Sequence, residues 1–371
     1  MKKTVEQWKK DLSSVIEGYK PKDIFNCDET GLFFKMMPNK TLAFKGEPCH
    51  GGKLSKERIT VLLCCNSDGS EKLTPLVIGK SKKPRCFKNV KRLPCEYFNN
   101  TAAWMTSEIF LNFLHKFDKK MEKEGRKVLL FIDQCPAHPR DFPKFDHVKV
   151  QFFPANCTSK LQPLDLSIIR CLKVHYRKTL IRRYLAKLEI SKSAAVDVKI
   201  SILDAMNMIC ASWRSIGEYT IKNCFRKAGF KFPDEYEYRD QSNENEEDWD
   251  IELSDDEWQS ISGGLVSFNQ FVDIDDNLVT TELREIKDIA NEMTGGDCEG
   301  DDDDNEDDGA NVPPNHTVVL QALDTIRDYL QFNSAAETPF NYLHELEKVV
   351  SVIHREKHKQ TSIMDYFERK K

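Results

Sequence analysis

No apolar run in the 371 residues approaches the length that spans a bilayer, which is about 20 residues, so a membrane-spanning helix is excluded. The twelve cysteines form no CxxC pair, and Cys64 and Cys65 are adjacent within a strand-like run. That pattern suits neither a zinc ribbon nor a disulfide framework. No charged leader followed by an apolar stretch and a small-residue cleavage pattern is found, so the expected setting is a reducing intracellular compartment. No internal repeat is found either.

What is present is a strong charge asymmetry. The formal net charge is -5, yet residues 1–232 carry +21 and residues 233–371 carry -26. The basic part suits a polyanion such as nucleic acid. The acidic part suits a solvated segment that repels DNA or screens the basic surface. The acidic stretch over 233–312, with its DDDDNEDD run, holds too few apolar residues to offset its ordering entropy and is expected to be a disordered linker.

The elements expected before it alternate between strand and helix. Residues 1–19 read as a helical lead-in, with Trp8, Leu12 and Ile16 four apart. A short strand is predicted over 23–28, then a hairpin of strands 58–65 and 73–79 about the turn Asn66-Ser67-Asp68-Gly69. Thr106 caps a helix running to Glu124. Apolar strands are expected at 128–132 and 148–153, then a basic helix over 165–188 and a helix pair over 194–228. The resulting domain, 20–232, has the element order of an RNase H-like α/β fold, a mixed sheet flanked by helices. Two short helices near 316–332 and 338–356 are expected in a tail covering 313–371.

Three aspartates stand out. Asp28 follows the apolar start of IFNCDETGLF, Asp133 ends VLLFIDQCPAH, and Asp165 sits at the head of the basic helix. Acids on two strand ends and a helix start, gathered together, suit divalent ions with hard oxygen ligands. Alone, each reads as a turn or capping residue. Cys135 and His138 form a C-x-x-H, half a zinc site without a second half; they read as a buried Cys and a His beside the acids.

The words NCDETGL (26–32), GKSKKPRCFK (79–88), LLFIDQCPAH (129–138) and NCTSKLQPLDLSIIR (156–170) resemble the DDE domain of pogo/Tigger-type transposases and their host-derived centromere-protein-B and jerky-like relatives. The resemblance covers residues 19–184. It implies an RNase H-like fold in which Asp28, Asp133 and Asp165 bind two Mg²⁺ or Mn²⁺ ions for DNA strand cleavage and joining. It also implies DNA as partner, a nuclear location and homo-oligomers. Glu29 would face away from Asp28 across the strand. Gln134 stands where the family shows Asn, and Leu166 where Gln is common. No helix-turn-helix pattern precedes the first strand. A catalytically silent, DNA- or chromatin-associated descendant of the same fold is the alternative reading.

Two further sets carry expectations. Lys80, Lys82, Lys83 and Arg85, together with Arg170, Lys173 and Arg177 on the outer side of the basic helix, suit DNA phosphates. Gln360, Ile363, Tyr366 and Phe367 fit Q-x-x-aliphatic-x-x-aromatic-aromatic, similar to peptides that bind the replication sliding clamp (PCNA).

Overall fold

The structure is a computed structural model that describes residues 2–37, 57–191, 200–232, 258, 267–276, 278–281, 314–333 and 338–357. It has two units, 1–309 and 310–371. The first begins with helix α1 (Lys2–Val15) and strands β1 (Ile24–Phe33), β2 (Arg58–Asn66), β3 (Leu76–Gly79) and β4 (Glu96–Asn99). Helix α2 (Ser107–Lys123), strands β5 (Val128–Ile132) and β6 (Val148–Phe152) and helices α3 (Thr158–Leu161), α4 (Ile169–Ser191), α5 (Ile202–Ser215) and α6 (Glu218–Ala228) follow. A short helix α7 (Phe268–Val272) ends the described part of this unit. The second unit holds α8 (His316–Asn333) and α9 (Thr338–Lys357). Among the described residues no helix is long and apolar enough to cross a membrane.

The sheet order is β4-β3-β2-β1-β5-β6. β1 runs antiparallel to β2 and parallel to β5, and β2 runs antiparallel to β3. This is an RNase H-like mixed sheet with a helical layer on each face. β5 is buried along its whole length, as a central parallel strand must be. Side chains alternate along β1 between two cores. Ile24 and Leu32 face the core shared with α1, α4, α5 and α6, while Phe25 and Cys27 face the core under α2.

Local signals explain most boundaries. The Thr106 hydroxyl accepts the Ile109 N–H at the start of α2, and Ser201 and Asp204 form a capping box on α5. Gly69 takes φ +73° in the 66–69 turn, where an L side chain would be strained. The strand expected over 73–79 is continuous only from Leu76; before Pro75, which has no N–H to offer the ladder, Lys72 forms an isolated bridge to Cys65 and the Leu73 N–H donates to the Cys64 carbonyl.

β1 differs from the sequence reading. It continues through Phe33, paired to β2 from Phe25↔Asn66 to Phe33↔Arg58, so Asp28 lies mid-strand rather than at a strand end. On its other side β1 pairs with β5 only over Ile24 to Asn26. Beyond Asn26 that edge is open, and Asp28 sits on the open stretch.

The acidic region differs as well. Residues 267–276 and 278–281, within the stretch expected to be linker, pack onto the domain as a strap. Trp258 and Phe271 close a small core with Met36 and Ile181. The Thr280 carbonyl accepts the Met105 N–H, and the Val279 carbonyl accepts from Arg58. A Cβ on Gly31 would stand 2.6 Å from the Leu278 Cβ, so the strap passes against β1 where that strand has no side chain. Aromatic anchors outweigh the acidic composition here, because buried apolar area is what repays ordering.

Candidate metal centre and nucleic-acid face

Asp28 and Asp133 meet because their strands are parallel neighbours. Asn26 is registered with Phe131, so two residues further along each chain the acids lie side by side. Asp165 arrives from the other side of the sequence, in a widened π-type turn over Leu164–Ile168 that precedes α4. Such a turn breaks the regular stagger and is a frequent feature of functional sites. The sequence reading put Asp165 in the first turn of one continuous helix; the widened turn replaces that helix start.

The three acids influence one another electrostatically. Asp28 is 6% exposed. Burial pushes its carboxyl well above the usual carboxylate range, and the charges of Asp165, Asp133 and Glu29 push it further. Its hydrogen bond to Asp165 acts the same way. Burial also raises Asp165, and the Asp133 charge adds to this; the bonds from Asp28 and the Thr158 hydroxyl pull back. Burial alone would raise Asp133, but His138 and the Cys135 N–H hold it below its usual range.

His138 is the residue that reading by spacing underrated. Its Nδ1 lies 2.8 Å from Asp133 Oδ1 and its Nε2 3.1 Å from Glu29 Oε1. The ring packs on Phe110 with centroids 3.9 Å apart. Burial alone would favour the neutral ring, yet the two carboxylates reverse this and hold the pKa well above the usual histidine value. Glu29 faces away from Asp28, as expected from strand alternation, and it supports Asp133 from the opposite face through this imidazole. Ligand atoms of Glu29, Asp133, Cys135 and His138 lie within 4.8 Å of one another. Both ring nitrogens of His138 are engaged by carboxylates, so the imidazole orients acids rather than offering a lone pair.

Does this donor set fit divalent ions? Asp28, Asp133 and Asp165 present hard carboxylate oxygens, and burial raises Asp28 and Asp165 where a cation would favour their charged forms. Asp133 Oδ1 is occupied by His138 and by the Cys135 N–H at 3.2 Å, which leaves Oδ2 for an ion. Gln162, three residues before Asp165, is buried with neither end of its amide hydrogen-bonded. The set fits a hard divalent ion. Gln134 donates to the Phe153 carbonyl at 2.9 Å, so its departure from the family pattern is absorbed by the backbone.

The basic residues divide into two groups. Lys80, Lys82, Lys83 and Arg85 are exposed on the loop leaving β3. β3 runs parallel to β1 and β5, since it and β1 are both antiparallel to β2, so this loop leaves the same end of the sheet as Asp133. Arg170, Lys173 and Arg177 do not form a free outer face. The strap pairs with them: Arg170 with Asp273, Lys173 with Asp276 at 2.7 Å, and Arg177 with Asp275. Arg177 is fully buried, over the Phe271 ring and donating to the Phe33 and Met36 carbonyls. Helical periodicity placed them outside because it could not see a segment about 100 residues away in sequence returning to cover α4. Gln360, Ile363, Tyr366 and Phe367 lie outside the described residues.

Comparisons with known proteins give the family. The DDE superfamily endonuclease family matches residues 56–225. Tigger transposable element-derived protein 4 of Mus musculus is 34% identical over 357 residues, which cover 92% of this chain and 67% of that protein. Major centromere autoantigen B of Homo sapiens is 34% identical over 217 residues, 58% of this chain and 35% of that protein. The chain thus spans two thirds of the first relative and about a third of the second. The catalytic domain of the Mos1 mariner transposase superimposes over 62% of this chain and 97% of its own, at 12% identity and a TM-score of 0.31, too distant to carry an argument. By its matched DDE region and its Tigger relative, this chain belongs to the pogo/Tigger family of DDE transposase-derived proteins.

Proposed function

We propose that the chain cleaves and joins DNA strands in the nucleus, with Asp28, Asp133 and Asp165 holding two Mg²⁺ or Mn²⁺ ions. The observation that carries this reading is the mutual electrostatic contact of the three acids, brought together from β1, β5 and the turn before α4. The ions would supply charge neutralisation at the phosphodiester and activation of water or a 3′-hydroxyl for in-line attack. The residues of the chain do the placing. Asp28 and Asp165 face each other across the site, Asp133 is oriented by His138, and Glu29 holds that imidazole from behind. Among the described residues, Lys80, Lys82, Lys83 and Arg85 are exposed cations at that end of the sheet, and they are assigned to phosphate contact.

Nicking of supercoiled plasmid in Mn²⁺ by the full chain tests this. Wild type is expected to nick, and Asp133→Ala to lose at least about a hundredfold, the scale of the several kcal/mol a metal ion contributes. No nicking by either protein would replace this reading with the catalytically silent, DNA-associated one. Equal nicking by both would remove Asp133 from the site.

The second unit supports a homo-oligomer. In the α8–α9 pair only Leu323 and Leu343 are buried among the described residues, while Tyr342, Leu346, Val349 and Ile353 are exposed at heptad-like spacing. Two helices of this size cannot enclose a core alone, and a second copy offers the same stripe to complete a four-helix arrangement. The double substitution Leu346→Lys with Val349→Lys is expected to turn a dimer into a monomer by light scattering. A monomeric wild-type chain would refute the assignment.

A further inference from the structure

One polar side chain inside the sheet touches all three segments that carry the acids. Asn26 is fully buried, two residues before Asp28 and on the same face of β1. On that face it lies between Ile24, part of the apolar core, and Asp28. An aliphatic residue would fill this position at lower cost, because a buried amide is tolerated only when it is hydrogen-bonded. Asn26 meets that condition with partners from separate parts of the chain. Nδ2 donates to the Phe131 carbonyl on β5 at 3.0 Å and to the Cys27 carbonyl at 3.2 Å. Oδ1 accepts the Leu164 N–H at 3.0 Å, 138 residues away in sequence.

The chemistry of these partners fixes the orientation of the amide. Two carbonyls face the nitrogen and one N–H faces the oxygen, so the flipped amide would set oxygen against oxygen. Phe131 is two residues before Asp133, and Leu164 is immediately before Asp165. A single amide therefore ties β1, β5 and the π-type turn together within two residues of each acid. The link to Leu164 matters most. The turn is not part of the sheet, and among the described residues this bond joins its main chain directly to β1.

We propose that Asn26 is the positioning residue that sets the spacing of Asp28, Asp133 and Asp165 for their ions. The inference rests on the metal-site reading above. Asn26 touches neither ion nor substrate; it acts through the backbone of the segments it joins. Groups that orient metal ligands in this way typically change metal affinity by 10–100-fold when removed.

Mn²⁺ affinity, read by the loss of the free-ion EPR signal on titration of the full chain, is the deciding measurement. Thr60→Val is the control. It removes another buried side-chain bond, to the Ala103 carbonyl at 2.7 Å, on the neighbouring strand. Asn26→Ala is expected to bind Mn²⁺ about tenfold more weakly or worse at temperatures where it is folded by circular dichroism, while Thr60→Val binds as wild type. Unchanged affinity in folded Asn26→Ala would overturn the brace and leave the metal site standing. An equal loss in Thr60→Val would reduce Asn26 to general stability. If wild type itself binds no Mn²⁺, the metal site fails and the brace with it. Should Asn26→Ala not fold, Asn26→Ser takes its place: its shorter hydroxyl cannot span the three partners, so the same loss is expected and unchanged affinity again overturns the proposal.

Discussion

Asp275→Ala is expected to lower the unfolding free energy by about 3–5 kcal/mol, the usual consequence of stranding one member of a buried ion pair. Asp275 and Arg177 have fully buried side chains. Removing the carboxylate leaves a guanidinium under Phe271 with only the Phe33 and Met36 carbonyls for company. Asp273→Ala should cost under about 1 kcal/mol, because Asp273 and Arg170 are each 42% exposed and water takes over from the lost partner. Replacing both buried partners by apolar residues, Arg177→Met with Asp275→Leu, should recover most of the loss, since a buried pair repays little beyond its own desolvation. Urea denaturation of the four proteins measures this. Similar small losses for Asp275→Ala and Asp273→Ala would show that the strap is not anchored through the buried pair. The consequence is concrete: a chain cut near 232 exposes the Phe33, Met36 and Ile181 surface that Trp258 and Phe271 pack against.

Asp28→Asn should move stability the opposite way while ending function. The raised positions of Asp28 and Asp165 mean that folding favours their protonated forms. For a carboxyl raised on folding, the stabilising contribution is complete below the unfolded value, near 3.8, and is lost as pH rises through the folded one. At neutral pH the ion-free protein therefore carries a penalty for this cluster. Asparagine removes a charge and keeps the shape. Asp133 lies below its usual range and works in the other sense, but His138 rather than Asp28 accounts for that.

In chelator, the melting temperature of Asp28→Asn should exceed that of wild type by about 2–4 °C at neutral pH, on the order of 1 kcal/mol, with the gap closing towards pH 4. Adding Mn²⁺ should raise the wild-type melting temperature and leave the variant unmoved, because binding to the folded state is what stabilises it. Nicking should fall at least about a hundredfold. A variant less stable than wild type in chelator would show that the acids are not in mutual repulsion. A variant that still responds to Mn²⁺ would take Asp28 out of the ligand set.

Much of this protein was legible without a structure, and for local reasons. β5 is a run of five apolar residues, α2 carries its own cap and a 3–4 spaced apolar face, and the 66–69 turn needs its glycine. Such features depend on neighbours a few residues away, so periodicity and turn chemistry determine them. The words that surround Asp28, Asp133 and Asp165 marked them as candidates for the proposed site. Only the tertiary structure decided what depends on distant partners. Asp28 lies mid-strand because β2 pairs along the whole of β1. Asn26 gains its meaning from Leu164, and His138 from Glu29, 109 residues away. The basic face of α4 is closed by a strap from the acidic half, in which Trp258, Phe271 and Leu278 supply the apolar area and Asp273, Asp275 and Asp276 the charges. Composition averages over such a segment and reads it as solvated, whereas packing depends on where its few aromatic residues land.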